Sequence, residues 1–175
     1  GNQIKENSED RMNIRKTRKE DVPVIMDLYE NAKAFMRSKG NLTQWNDGYP
    51  SVEIITEDID NGNSYVFVEN DEIVGTFAFI IGEDPTYQVI EDGEWHSSKI
   101  YGTIHRIASS GKAKGLAKTC FDYCSEKIDY LRIDTHEDNQ PMQDAVLRYG
   151  FKKCGIIYVR DGSKRVAFDY IKDRK

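Results

Sequence analysis

Between Tyr101 and Ile128 a strand-like run, YGTIHRIA, passes through a Gly-rich basic turn, SSGKAKG, directly into a helix that begins near Gly115. That unit sets the terms for the rest of the chain. A helix entered this way points the unpaired N–H groups of its first turn, and the positive end of its macrodipole, at one spot. Small residues let an anion approach closely, so Ser109 to Thr119 reads as a phosphate-binding loop between a strand and a helix. A merely solvated basic turn has the same composition, and the neighbouring segments must separate the two readings.

Met12 to Lys16 alternates as a short strand, and Thr17 with Glu20 has capping-box spacing ahead of a helix that runs from Val22 until Gly40 stops it. Val22, Ile25, Met26, Leu28, Tyr29, Ala32, Phe35 and Met36 recur there at helical spacing and form a core-facing stripe. Ser51 caps a second helix through Asn61, and Ser64 to Glu69 and Ile73 to Ile81 are strands joined at Asn70 and Asp71, a hairpin signal. A long polar connection, GEDPTYQVIEDGEWHSSKI, then leads to the strand at Tyr101, and connections of that length often carry function. Downstream come a helix (Leu116 to Ile128), a strand (Tyr130 to Thr135), a helix (Asn139 to Tyr149) and strands at Phe151 to Val159 and Arg165 to Ile171. Hairpins early and βα alternation late predict an α/β domain with a mixed sheet.

At 175 residues and 38% hydrophobic, the chain holds enough apolar material for one core. Residues 1–11 are polar, charged and aperiodic, and are expected to be a disordered or expression-derived leader before a single domain at 12–175. A net charge of −5 argues against a general nucleic-acid binder. No apolar run approaches a membrane span and no signal peptide is visible, so a cytoplasmic protein is expected. Cys120, Cys124 and Cys154 lack metal-ligand spacing and read as reduced, buried and inert, with no metal expected.

The strand HRIASS, the turn KAKGLA, the segment RIDTHEDNQPM and the ending YGF resemble, in order and separation, the central motifs of the GNAT superfamily of N-acetyltransferases. Lys112, Gly115 and Ala117 hold the places of that family's pyrophosphate loop, with Lys where Arg or Gln is usual, and Asn139, Gly150 and Phe151 match a later motif. The resemblance implies a mixed, mostly antiparallel sheet of about six or seven strands flanked by helices, splayed between its central parallel strands. It further implies acetyl-CoA as acetyl donor, its pantetheine arm along Ile107 to Ser109 and its pyrophosphate on Lys112, Ala113, Lys114, Gly115, Leu116 and Ala117, with Asn139 within reach. The acceptor would be a small-molecule or peptide amine, taken up in a ternary complex; a homodimer is compatible.

Transfer to an amine needs a base for its proton and an acid for the leaving thiolate. In many such enzymes the acid is a Tyr seven residues after the motif Asn, which here is Val146; Tyr149 lies about 60° further round the helix. That departure keeps open an alternative, a CoA-binding sensor or scaffold without transfer activity. His105 is the first candidate base, since imidazole ordinarily titrates near about 6.5 and alternation puts His105 on the face of Ile107. His136 is a second candidate. Trp45 and Tyr49, in a loop that gives them no element to pack into, and Glu83 are candidates for holding the acceptor.

Overall fold

A computed structural model describes residues 12–173, and the expected leader lies outside them. Seven strands form one sheet: β1 (Asn13–Lys16), β2 (Ser64–Glu69), β3 (Glu72–Ile81), β4 (Gly102–Ser109), β5 (Tyr130–Thr135), β6 (Lys152–Tyr158) and β7 (Lys164–Ile171). Their order is β1-β2-β3-β4-β5-β7-β6, and every neighbouring pair is antiparallel except β4 with β5. Asn70 and Asp71 turn β2 into β3 with φ of 51° and 62°, the left-handed pair whose twist matches a hairpin. The mostly antiparallel sheet and the flanking helices agree with the fold implied by the motifs.

Helices α1 (Val22–Ser38), α2 (Val52–Asp60), α3 (Leu116–Lys127) and α4 (Gln140–Tyr149) cover both sides. Successive strand residues point to opposite faces. Leu131 and Ile133 therefore join Phe121 and Cys120 of α3 and Val146 of α4 in one core, while Tyr130 meets Tyr87 and Tyr101 of the 82–101 connection on the other side. On that second face α1 and α2 pack Ile25, Tyr29 and Ile55 over Val66 and Ala108. Trp45 belongs to this cluster: it is buried edge-on against Tyr29 (ring centroids 5.2 Å apart), so the loop does give it an element to pack into.

The N-terminal cap differs from the expected one. Thr17 is buried and its hydroxyl accepts a hydrogen bond from Ser64 (2.7 Å), while the Asp21 carboxylate accepts from the Arg18 N–H (2.7 Å) and closes a short 3-10 turn ahead of α1. Tertiary pairing with β2 takes Thr17 out of the local capping pattern. Ser51 does cap α2, accepting from the Ile54 N–H.

The parallel pair is short. Gly102 to Ile104 of β4 face Leu131 to Ile133 of β5, after which no β4–β5 pair forms although the strands run on to Ser109 and Thr135. The cause lies at Arg106. Against β3, Ala78 pairs with His105 and Thr76 with Ala108, so β4 holds one extra residue, and Arg106 sits at φ 53°. A bulge of this kind bends its strand and raises its twist. A left-handed non-glycine residue costs about 1–2 kcal/mol, offset by contacts from α1 and α2. Tyr29 donates its hydroxyl to the Arg106 carbonyl (2.6 Å), and the Arg106 guanidinium meets the Asp58 carboxylate at 2.6 Å with both side chains nearly buried. The bulge also overturns the expected alternation: Ile107 packs on the Ile104 side, and His105 faces the opposite one.

Candidate active site

Gly115 is the N-cap of α3, at φ 73° and with no side-chain cap. The N–H groups of Ala113, Lys114, Gly115, Leu116, Ala117 and Lys118 meet no acceptor among the described residues; the first to do so is Thr119, bonded to the Gly115 carbonyl. A Cβ on Gly115 would touch nothing within 4 Å, so this mouth is open. The turn ahead of it is shaped by Ser109 and Ser110, whose hydroxyls accept from the N–H groups of Gly111 and Lys112. Leu116 anchors the helix at Gly75 of β3, where an added Cβ would fall 2.4 Å from Leu116 Cδ1. Lys112 and Lys114 are exposed, and Lys112 pairs with Glu72 at 2.7 Å. Ile107 and Ser109 line the part of β4 left unpaired by β5, next to the same mouth.

Asn139 stands at the head of α4. Its side-chain oxygen accepts from the Met142 N–H (3.2 Å) and its amide donates to Gln44 (3.2 Å), which also receives the amide of Asn41. Both ends of Asn139 are thus engaged in holding the early loop against α4.

His105 forms a pair with the carboxylate next to Glu83, the one at Asp84. The His105 Nε2 lies 3.0 Å from Asp84 Oδ2, while Glu83 itself is exposed. Burial opposes ionisation of Asp84, but hydrogen bonds from His105 and from Thr86 outweigh it and hold the carboxyl at about 2. An ionised Asp84 fixes the proton on Nε2, so the lone pair of His105 sits on Nδ1, which meets no partner among the described residues. Beside the ring lies Tyr87, centroids 6.4 Å apart, whose hydroxyl donates to Asp134 at 2.5 Å. Burial and the neighbouring Asp134 hold Tyr87 well above the usual phenol range, keeping it a donor. Strand alternation aims Asp134 at this face; its role is visible only once β4 and β5 are adjacent.

Asp84 gives a pH prediction. Its folded value is depressed, so its stabilisation is complete above the ordinary value of 3.8 and disappears as pH falls through about 2. Asp84→Asn is therefore expected to remove roughly 2 kcal/mol at neutral pH and to flatten the acid limb of the stability curve between those values. Denaturant melts of both proteins from pH 2 to 6 measure it, and parallel acid limbs would rule it out.

The other candidates are placed as follows. His136 is buried; its Nδ1 accepts from the Asp138 N–H (3.1 Å), leaving Nε2–H to donate to Thr43 (2.9 Å). Burial, helped by Arg165, lowers its pKa, and both nitrogens already have partners. Tyr149 donates to Asp122 of α3 (2.7 Å) and packs on Phe121, Phe151 and Tyr170, while Val146 is fully buried in the core. The Tyr49 hydroxyl accepts from Arg106 (3.0 Å), which ties the acceptor-side loop to the bulge. Cys120 and Cys124 are fully buried on α3.

No family model matches this chain, and no curated protein matches it. Solved structures do. The acetyltransferase of the GNAT family from Streptococcus agalactiae shares 35% identity and a TM-score of 0.84, over 93% of this chain and 96% of that one. A ribosomal-protein-alanine N-acetyltransferase from Brucella melitensis (16% identity, TM-score 0.60, 91% and 99% covered) has the same fold. So does yncA of Salmonella typhimurium, solved with its cofactor acetyl-CoA (16%, TM-score 0.59, 94% and 95% covered). The first of these carries its identity along nearly the whole of both chains and on one backbone, and this chain accordingly belongs to the GNAT family of acetyltransferases.

Proposed function

We propose that the chain transfers an acetyl group from acetyl-CoA to a primary amine directly, in a ternary complex, and that the amine arrives as a cation. The observation that carries this reading is the gap between β4 and β5 beyond Ile104 and Ile133, opening beside a helix mouth whose N–H groups have no acceptor among the described residues. Those two features suit the two chemically distinct parts of the donor. The N–H groups of Ala113 to Ala117 would receive the diphosphate, and the free edges of Ile107 to Ser109 the amides of the arm. Acetyl-CoA supplies the activated acyl carbon.

His105 is the proposed base. Its free Nδ1 first takes a proton from the bound ammonium, leaving a neutral amine to attack the thioester carbon, while Asp84 holds the ring and compensates the imidazolium that results; the nitrogen gives its second proton to solvent as the C–N bond forms. Strand N–H groups polarise the carbonyl, and the thiolate released when the C–S bond breaks is protonated from solvent, since Val146 offers no acid. Direct transfer fits the burial of Cys120, Cys124 and Cys154, which leaves no exposed thiol to carry the acyl group. Asp84 and the exposed Glu83 beside it favour a cationic acceptor, a small amine or a basic peptide terminus, while Asp134 is already balanced by Arg165 at 3.8 Å. Among the described residues no helix is long and apolar enough to cross a membrane.

The buried Val146 also supports a second reading, a sensor that binds CoA without turnover. Thiol release from acetyl-CoA, measured across a panel of cationic, neutral and anionic amines, separates the two. Direct transfer requires release with cationic amines, and binding without release by any amine would establish the sensor.

A further inference from the structure

Away from the β4–β5 gap, three side chains from distant parts of the chain converge beneath the 82–101 connection. His96 comes from that connection, Cys154 from β6 and Asp169 from β7. The His96 Nδ1 is 2.7 Å from Asp169 Oδ1 and 3.4 Å from Cys154 Sγ, and one nitrogen, one sulfur and one carboxylate oxygen all lie within 4.8 Å of one another. Cys154 and Asp169 are buried, at 4% and 2% exposure, while His96 reaches a cavity of about 690 Å³ that it lines with Trp95 and Arg132.

We propose that His96, Cys154 and Asp169 form a binding site for one divalent transition-metal ion of the zinc class, with the fourth position open toward that cavity. The donor set decides the class. Calcium and magnesium take oxygen ligands, whereas imidazole with thiolate selects zinc, cobalt and their neighbours. Charge decides in the same direction. A carboxylate and a thiolate balance a doubly charged ion, so the loaded site is neutral where an isolated buried charge would be costly. On binding, metal–nitrogen, metal–sulfur and metal–oxygen bonds form, the ring proton that Asp169 holds on Nδ1 is exchanged through solvent to Nε2, and the thiol proton passes to solvent, which makes affinity fall with falling pH.

The surrounding shell is already oriented. Tyr130 donates to Asp169 (2.7 Å), as does the His96 N–H (2.8 Å), and Tyr130 in turn accepts from Arg132, whose guanidinium lies 4.0 Å and 3.9 Å from the ring centroids of Trp95 and Tyr101. A bound ion would therefore clamp the connection that carries Asp84 and Tyr87 onto β6 and β7.

Cobalt(II) titration of the chelator-treated full chain tests the site without reference to acetyl transfer. The expected result is one equivalent bound, a thiolate-to-cobalt charge-transfer band in the near ultraviolet, and loss of that band on adding zinc. Cys154→Ser must remove the band, and His96→Ala must weaken binding at least about tenfold, with circular dichroism confirming that each variant is folded. Absence of the band in the unmodified chain overturns the proposal, as does its persistence in Cys154→Ser, which would move binding to Cys120 and Cys124. If Cys154→Ser does not fold, His96→Ala decides alone, because its side chain is partly exposed and unchanged cobalt affinity there refutes the site.

Discussion

Replacing His105 with alanine is expected to lower kcat/KM by about 10²- to 10⁴-fold at neutral pH while CoA affinity stays close to that of the unmodified protein. The reason is spatial separation of tasks. His105 stands on the α1 and α2 side of the sheet with Asp84, whereas the N–H groups proposed to receive the diphosphate belong to the turn before α3. The rate loss should take the form of a vanished titration in the pH–rate profile. Asp84→Asn should reproduce part of it, because an amide at that position no longer forces the proton onto Nε2 and the basic lone pair is no longer fixed on Nδ1. Steady-state rates from pH 5 to 9, with calorimetry of CoA binding alongside, make the measurement. A profile for His105→Ala that keeps the shape of the original would eliminate His105 as the base.

Gly115→Val is expected to reduce CoA affinity by at least tenfold with little change in the stability of the sheet. At φ 73° a β-branched residue is strained by about 1–2 kcal/mol, and relief of that strain turns the N–H groups of Gly115 and Leu116 away from their common focus. Strain of that size alone corresponds to about one decade in a binding constant. If the backbone instead holds, the new side chain projects into the open space at the mouth, where Gly115 now leaves nothing within 4 Å. Gly115→Ala should lie between the two proteins. Calorimetric titration with CoA distinguishes these outcomes, and equal affinity in all three would remove the α3 mouth from the binding site.

The strand, turn and helix from Tyr101 to Lys127 were legible because each part carries a local signal: β-branched and aromatic residues, then glycine and lysine, then helical periodicity. The start of a helix at Asn139 was legible for the same reason, since a side chain bonding three residues ahead needs nothing from elsewhere. The bulge at Arg106 was not legible. A left-handed residue in the middle of a strand has no propensity signature when it is not glycine, and here it is imposed by Tyr29 and Asp58 from helices far away in the chain. With the bulge invisible, strict alternation put His105 and Ile107 on one face, where the structure separates them. Glu83 stood out as a polar strand end, but the bond of its neighbour Asp84 to His105 depends on where the 82–101 connection folds back.

Cys154 shows the same boundary. By spacing it is an isolated cysteine, and only the neighbouring placement of β6 and β7 under His96 gives it nitrogen and oxygen neighbours. The sequence by itself determined the order of the elements, the Ser51 cap, the Asn70–Asp71 turn and the open helix mouth, because those follow from interactions spanning a few residues. Tertiary structure alone decided where the central strands part, which way His105 faces and what surrounds Cys154. Each of these is set by contacts between segments tens of residues apart, whose energies no local pattern encodes.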